Sequence, residues 1–467
     1  MSVSETVEPE LAAPAPVSQR RLTIGICINI VAIAFETIAV ATVMPAAARD
    51  LDGLAYYAWS FSAFLIGMLF ATVVAGRLSD RIGPAKPLVV GMAIFVVGLL
   101  LAGSAQHMVQ LVGGRLVQGL GSGLMNTAIF VLVAQAYSLT QRPRMFTFIS
   151  TAWVLPSFVG PPVSAWLTEQ LSWHWVFYAV VPMVVGGGLL VLPTLRRMMY
   201  AWAPAKSDPD GPKPAPLWAA GAVALAATAL QLAGQLLSWV ALGLLVAGLA
   251  GLVLGLPRLM PACFAQFGRG LPAVIVARGL LAGAFVGGEA FVPLMLVEER
   301  KVALVLAGAA LTIGSVGWTI GSWLQSRPWL KMRRDLLITL GCLSLALGLG
   351  STALVALVPS LPYLLVAAGW IFAGLGMGLA TSSTSLALMT LSGTAEQGRN
   401  GSSLNLSDAL GAGLLVGVSG TIFVALRTRT DLSFTFAIVL GAMALIALLA
   451  ALTSVRIGPV RNEFAAH

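Results

Sequence analysis

Five ionisable side chains lie inside long apolar stretches of this 467-residue chain. Two are bases and three are acids: Arg115, Arg278, Glu36, Glu289 and Asp408. An ionised group in hydrocarbon is costly unless an opposite charge or a water-filled cavity lies beside it, so each of the five is a candidate functional residue. A buried carboxylate that lacks a partner is suited to exchange protons near neutral pH. The chemistry that these residue types indicate is proton transfer or the binding of charged ligands.

Counting along the helices predicts which of these charges meet. At about 1.5 Å per residue, Glu36 lies roughly 21 Å from one end of its helix, and Arg115 lies roughly 9 Å from the opposite face on a helix that runs the other way. The two side chains are therefore at similar depth and are expected to pair. Arg278 and Asp408 each lie roughly 10 Å from the same face. We interpret this second pair first as a structural ion pair and second as a functional one.

Composition places these helices in lipid. Hydrophobic residues make up 58% of the chain and charged residues 10%, against about 25% charged residues in soluble domains. The 50 glycines fit closely packed transmembrane helices, which associate through small residues. The 27 Lys and Arg are scattered over short loops and form no basic face, so the sequence does not indicate nucleic-acid binding.

No residue pattern in the sequence indicates an enzyme, a metal site or a cofactor. The three cysteines, Cys27, Cys263 and Cys342, are far apart and follow no metal or disulfide spacing. The sequence contains no phosphate-binding loop, no histidine cluster and no arrangement typical of a catalytic nucleophile. We therefore predict that the protein is not an enzyme and uses no cofactor and no metal.

Fourteen apolar runs are long enough to cross about 30 Å of hydrocarbon. Six precede a Pro-rich polar segment, two follow it, and six more follow a second polar piece. We predict seven regions, in chain order: a disordered cytoplasmic tail (1–21), a six-helix bundle (22–195), a cytoplasmic linker (196–216), an inserted transmembrane hairpin (217–256), a linker (257–271), a second six-helix bundle (272–455) and a cytoplasmic tail (456–467).

The distribution of basic residues predicts the orientation of the chain. With the N-terminus inside, the inner segments hold 20 of the 27 Lys and Arg and the outer segments hold 5, while Arg115 and Arg278 lie within the membrane. Because basic residues concentrate in cytoplasmic loops, we predict a multi-pass protein of the cell membrane with both termini in the cytoplasm. Removing the middle two spans together would preserve this split, which leaves 12 spans as the alternative.

The two six-helix blocks carry a weak internal repeat. Residues 114–124 and 369–379, each in the fourth helix of its block, are identical at six of eleven positions. We interpret the match as a duplication, which predicts two parallel repeats with a site between them near the middle of the bilayer. Glu289 is the counterpart of Glu36, but Trp370 replaces Arg115. Glu289 is therefore predicted to lack a partner.

Four short motifs carry a resemblance to a known family. They are G-x-L-x-D-R-x-G at residues 76–83, Arg115-x-x-Gln118-Gly119 in the fourth span, Gly160-Pro161-Pro162 in the fifth, and Glu36 followed by Pro45 in the first. In these motifs the chain resembles the major facilitator superfamily, and in particular its branch of 14-span drug:proton antiporters. The resemblance implies an all-α membrane protein with the major facilitator fold: two six-helix bundles with an inserted two-helix hairpin, 14 transmembrane helices in all.

The resemblance also implies roles for individual residues. A conformational switch is expected at Gly76, Asp80, Arg81 and Gly83, with Gly76 allowing close helix contact, and an antiporter bend at Gly160, Pro161 and Pro162. Proton coupling is expected at Glu36, Glu289 and Asp408, with Arg115 and Arg278 as charge partners. Among the acids we favour Glu36 as the main coupling residue. The candidates for lining a substrate cavity are Gln118, Asn126, Trp153 and Trp370.

The function that this implies is secondary active transport. We predict export of hydrophobic or amphipathic compounds, either drugs or lipids, in exchange for protons by alternating access. A dedicated lipid or metabolite carrier of the same fold is one alternative, and a membrane sensor or scaffold that transports nothing is another. The expected partners are a small-molecule or lipid substrate, protons and membrane lipids. The middle hairpin has no charged residue, so we expect it to face lipid outside the transport path. The sequence leaves the oligomeric state open.

Overall fold

A computed structural model of the chain describes residues 19–138, 141–201, 216–236, 239–260, 264, 268–327, 329–393 and 397–460. These residues form helices and short connections, with no strand among them. The α-helices are α1 Gln19–Asp50, α2 Trp59–Ile82, α3 Ala85–Gly103, α4 Met108–Ala136, α5 Arg142–Gln170, α6 His174–Ala201, α7 Leu217–Gln235, α8 Trp239–Leu259, α9 Leu271–Glu289, α10 Val292–Glu298, α11 Leu304–Gln325, α12 Arg334–Leu357, α13 Leu364–Leu391, α14 Gln397–Leu426 and α15 Leu432–Ser454.

The described part of the chain contains 14 helical segments long and apolar enough to cross a membrane, and α9 with α10 makes one of them. The predicted all-α membrane fold with 14 spans is confirmed. Helices pack in the same pairs in the two halves: α4 lies against α2 and α3 as α13 lies against α11 and α12. Likewise α1 packs on α5 and α6, and α9 packs on α14 and α15. The two sets of six helices therefore form two bundles with the same packing arrangement.

Glycines in the repeated segment explain why its residues recur. A Cβ at Gly119 of α4 would lie 2.0 Å from the backbone oxygen of Phe64 in α2. At the equivalent place in the second bundle, a Cβ at Gly374 of α13 would lie 1.9 Å from the oxygen of Gly314 in α11. Only a residue without a side chain permits such close backbone contact. The repeat therefore fixes the same helix crossing in both bundles.

Several predicted boundaries are corrected by the structure. The motif at 76–83 lies almost wholly in α2, which continues to Ile82, so that only Gly83, with φ of 80°, and Pro84 connect it to α3. Helix α6 extends past residue 195 to Ala201, into the predicted linker. Helix α1 begins at Gln19, inside the predicted tail. The rest of that tail, residues 202–215, most of the second linker and residues 461–467 lie outside the described residues.

The inserted hairpin does not simply face lipid. Helix α8 is largely exposed, but α7 packs against both α2 and α14, one helix from each bundle. Gly221 of α7 faces Phe70 of α2, whereas Gly234, farther along α7, faces Thr421 of α14. Gln231 of α7 is 4% exposed, and neither end of its amide has a hydrogen-bond partner. The hairpin therefore covers the seam between the bundles on this side.

Candidate functional site

Helix α1 begins and α15 ends at one face of the bundle, which we call the N-face; the opposite face is the distal face. Two contacts between the bundles lie toward the distal face. Arg49, at the end of α1, forms an ion pair of 2.6 Å with Glu298 at the end of α10. Gly308 of α11 faces Thr42 of α1 and Pro161 of α5. The structure is that of a two-bundle protein with its distal mouth shut.

The first buried pair lies wholly within the first bundle. Arg115 donates hydrogen bonds from Nη1 to Glu36 Oε1 and, over 3.0 Å, to Gln118 Oε1, and from Nε over 2.8 Å to the backbone oxygen of Ser60. Its guanidinium carbon lies 4.4 Å from the centre of the Phe64 ring, in cation–π geometry. The Arg115 and Glu36 side chains are 2% and 1% exposed. This arginine therefore ties α1, α2 and α4 together, and Glu36 has no contact with solvent in this conformation.

The second pair lies within the second bundle and is more accessible. Arg278 of α9 donates to both oxygens of Asp408 of α14, over 2.6 and 2.7 Å, the bidentate arrangement that guanidinium and carboxylate favour. Its Nη1 donates to the backbone oxygen of Thr381 and to Thr384 Oγ1 in α13, over 2.7 and 2.9 Å. The Arg278 and Asp408 side chains are 11% and 27% exposed. This pair joins α9, α13 and α14 and presents its carboxylate at a surface.

Glu289 stands alone at a break in its membrane span. It is the last residue of α9, is half-buried, and makes no hydrogen bond or ion pair with any residue that the structure describes. The break follows from Pro293, which has no N–H to donate to the carbonyl of Glu289 and sits in the first turn of α10. Discontinuous helices are where transporters of known architecture build ion and substrate sites. Of the five charges, Glu289 is therefore the one without a hydrogen-bond or ion-pair partner in the described part of the chain.

A backbone carbonyl next to this break accepts a hydrogen bond that joins the two bundles at the distal mouth. Tyr57, just before α2, is fully buried and donates from its hydroxyl to the backbone oxygen of Ala290 over 2.6 Å. Its ring centre lies 5.5 Å from Phe61 and 5.4 Å from Phe291, and Phe291 lies 5.4 Å from Phe423. These four rings, which we call the aromatic plug, come from both bundles and surround the hydrogen bond between Tyr57 and Ala290. Its acceptor, Ala290, is the residue that follows Glu289.

Two of the predicted cavity residues do not line a cavity. Gln118 is fully buried beside Arg115, and Trp370 is fully buried in the second bundle, stacked on Phe285 at 5.4 Å between ring centres. Trp370 fills with apolar volume the place that Arg115 occupies in the first bundle, which is why Glu289 has no arginine. Asn126 is half-buried and Trp153 is 36% exposed. These last two stay candidates for contact with a substrate.

The switch and bend residues differ from expectation in their packing. A Cβ at Gly76 would meet nothing within 4 Å, so Gly76 does not provide a close helix contact in this structure. A Cβ at Gly160 would lie no nearer than 3.6 Å to Ile38. Helix α5 continues without interruption through Pro161 and Pro162. Asp80 and Arg81 are exposed on the last turn of α2.

No pattern in the sequence predicts the contacts that close the distal mouth. Tyr57, Arg49 and Glu298 lie at span ends, where isolated polar and aromatic residues are common. A signal for the break was present, because Pro293 stands four residues after Glu289 inside a predicted span. No residue spacing indicates that Tyr57 reaches this break, since the contact joins the two bundles.

The chain belongs to the major facilitator superfamily, since the family model described as Major Facilitator Superfamily matches residues 24–415. It is 32% identical over 177 residues to the "Acurin A biosynthesis cluster MFS-type transporter" of Aspergillus aculeatus, covering 38% of this chain and 31% of that protein. It is 30% identical over 165 residues to "Multidrug resistance protein 3" of Bacillus subtilis, covering 35% and 32%. The chain thus matches about a third of the length of these two relatives.

Longer matches are more distant. "Multidrug efflux pump SdrM" of Staphylococcus aureus is 23% identical over 394 residues, covering 84% of this chain and 86% of that one. Among solved structures, a POT family transporter in complex with a thioalcohol conjugated peptide superimposes with a TM-score of 0.69 at 16% identity, covering 94% of this chain and 96% of that chain. At this identity the likeness concerns the fold alone. The family and its transporter relatives point to transport and not to an enzyme.

Proposed function

We propose that this protein exports hydrophobic or amphipathic compounds across the cell membrane in exchange for protons, by alternating access of a site between its two bundles. One observation carries the proposal: a carboxylate without a partner, Glu289, lies at a helix break within a span, beside the closed distal mouth. A carrier coupled to protons needs an acid that gains and loses a proton as its exposure changes between the two sides. The protein offers one at the point where the bundles meet.

Glu289 replaces Glu36 as our preferred coupling residue. Protonating Glu36 would strand the buried charge of Arg115, which is costly in a low-dielectric interior. Glu289 has no such partner, so adding a proton removes an uncompensated charge instead of creating one. Asp408 is held by Arg278 yet partly exposed, and we propose that it contacts the polar end of the substrate. The assignment of roles among the three acids is thereby reversed from the expectation based on resemblance.

The apolar character of the substrate rests on two supports. Around Gly160 of α5 lie the apolar side chains of Phe35 and Ile38, and Trp153 on the same helix is 36% exposed. Two of the relatives named above are a multidrug resistance protein and a multidrug efflux pump. In this view the structure is the form whose substrate site is reached from the N-face. Asp80 and Arg81, exposed at that face, would engage a neighbouring helix end only after the bundles move.

The orientation that export requires is testable with reporters. We take the N-face as cytoplasmic because of the charge distribution. A reporter fused at residue 206 should be active inside the cell, and one fused at the turn 235–238 should be active outside. Activity of both fusions on the same side would contradict the inserted hairpin.

The proposed function is tested by transport in proteoliposomes. The purified protein should concentrate a cationic amphipathic dye against its gradient when a pH gradient is imposed, and a protonophore should abolish the accumulation. Protein-free vesicles serve as the control for passive dye movement, and the Glu289→Gln variant serves as the control for coupling to protons. Movement of a nonpolar lipid with no dependence on the pH gradient would instead identify a lipid carrier and overturn the exchange with protons.

A further inference from the structure

A pocket opens at the distal face, away from the buried charges. It has a volume of about 460 Å³ and lies between the end of α1 and the α10–α11 connection. Its lining includes the apolar residues Ala46 and Leu304, together with three charged residues, Arg49, Glu298 and Lys301, which we call its rim. Small-molecule sites typically measure about 300–1,000 Å³ and combine apolar walls with a few polar groups. This pocket has the size and the lining of a site for a small amphiphilic ligand.

The rim carries one positive charge in excess. Arg49 places both Nε and Nη2 on a single oxygen of Glu298, over 2.9 and 2.6 Å, which leaves its Nη1 free to donate. Lys301 has no hydrogen bond or ion pair with the described residues. Two positive charges, of Arg49 and Lys301, therefore face the single carboxylate of Glu298. The rim thus favours a negatively charged ligand.

Neighbouring charges do not neutralise Lys301. Glu299 accepts a hydrogen bond of 2.9 Å from Ser433 and lies 3.4 Å from Arg300. Arg300 in turn donates to backbone oxygens at the end of α12, including Pro359 over 2.8 Å. The side chains of Glu299 and Arg300 therefore make their contacts within the second bundle.

The backbone holds Lys301 at the pocket in an uncommon conformation. Its φ is 53°, in the left-handed region that residues other than glycine and asparagine seldom adopt. The turn is fixed on both sides, because the N–H of Arg300 donates to the oxygen of Met295 over 3.2 Å and the N–H of Val302 donates to that of Leu296 over 2.9 Å. Strained residues of this kind concentrate at ligand sites and switch regions.

We propose that this pocket binds an amphiphilic anion, with its carboxylate or phosphate between Arg49 and Lys301 and its apolar part against Ala46 and Leu304. One wall belongs to each bundle, so the site is complete only while the distal mouth is shut. The anion therefore stabilises that conformation and inhibits transport from the distal side. By linkage, opening of the mouth weakens binding of the anion by the same factor by which the bound anion disfavours opening. The inference rests on the two conformations of the proposed function but not on coupling to protons.

The test measures opening of the mouth without transport. In a variant with the three native cysteines replaced by serine, Ala58→Cys places a thiol in the distal seam against Gly420, where a reagent reaches it only when the mouth opens. Sodium hexanoate and short-chain phosphatidic acid are the two probes, one soluble and one lipid. Either should slow labelling about fivefold or more, the usual lower range of coupling between sites. A rise in the thermal unfolding midpoint of the protein without the added cysteine should accompany it.

The control variants separate the site from general charge effects. Lys301→Asn keeps a residue that tolerates the left-handed backbone and should abolish both effects. Lys86→Asn removes another exposed lysine, at the opposite face, and should leave both the slower labelling and the higher unfolding midpoint unchanged. An effect of the lipid alone would identify the headgroup as the source of the anion. The inference is overturned if neither probe acts on the parent protein, or if Lys301→Asn responds as strongly as Lys86→Asn. The labelling and unfolding measurements use no pH gradient. They therefore test the anion site even if the protein proves not to be coupled to protons.

Discussion

Glu289→Gln is expected to abolish uphill export driven by a pH gradient while leaving downhill exchange of substrate largely intact. The amide has the shape of the protonated acid but cannot release a proton, so the carrier can still change conformation without coupling it to proton flow. Because Glu289 has no partner among the described residues, the substitution breaks no ion pair. We therefore expect a normally folded protein. Uphill accumulation and counterflow of a labelled substrate in the same proteoliposome preparation separate the two activities.

Glu36→Gln is the matched control, and its expected effect is of a different kind. It leaves the fully buried Arg115 without its counter-charge, a change that costs about 3–5 kcal/mol. Lower yield and a lower unfolding temperature should result, with any protein that survives still coupled to protons. If instead Glu36→Gln folds normally and loses coupling while Glu289→Gln keeps it, the coupling role returns to Glu36.

Tyr57→Phe should shift the resting protein toward the form with an open distal mouth. The change removes one hydroxyl and leaves the buried oxygen of Ala290 without a donor, since Tyr57 supplies the hydrogen bond that crosses there between the bundles. An unsatisfied buried acceptor costs about 1–3 kcal/mol, which corresponds to a change of about 5- to 150-fold in the equilibrium between the two forms. Labelling of the thiol in Ala58→Cys should accelerate accordingly.

Tyr56→Phe is the control for this variant. Tyr56 is the preceding residue and is 44% exposed, so losing its hydroxyl should not change the labelling rate. Equal acceleration in the two variants would mean that ring packing or local stability, and not the hydrogen bond to Ala290, governs the mouth. No acceleration in Tyr57→Phe would mean that the aromatic plug alone keeps it shut.

The parts that follow from position along a helix could be predicted from the sequence. Spans are set by apolar length, and a constant rise per residue brings Glu36 level with Arg115 and Arg278 near Asp408. The structure contains both ion pairs. Their functional roles remain predictions, because a contact within one bundle does not reveal which acid carries the proton.

The parts that depend on contacts between bundles could not be predicted. The bond from Tyr57 to Ala290 depends on how two separate bundles meet, and no periodicity within either helix encodes that. The expected contact at Gly76 failed for a related reason, since a glycine shows that close packing is possible but not that a neighbour is there. Trp370, predicted to line a substrate cavity, is instead fully buried. An aromatic residue in a span fills a core as readily as it faces a substrate.

The diagonal course of α7 makes the two sides of the molecule mechanically different. Its first half rests on α2 through Gly221 and its second half on α14 through Gly234, and the seam between α5 and α11 has no such cover in the described part of the chain. The bundles cannot part at the distal end of the covered seam unless α7 leaves one of them, and Gln231, whose buried amide lacks partners, would then gain water. We therefore expect the two bundles to separate first on the α5–α11 side, by rotation about the seam that α7 covers. Lipid tails would then contact the moving helices on the α5–α11 side first.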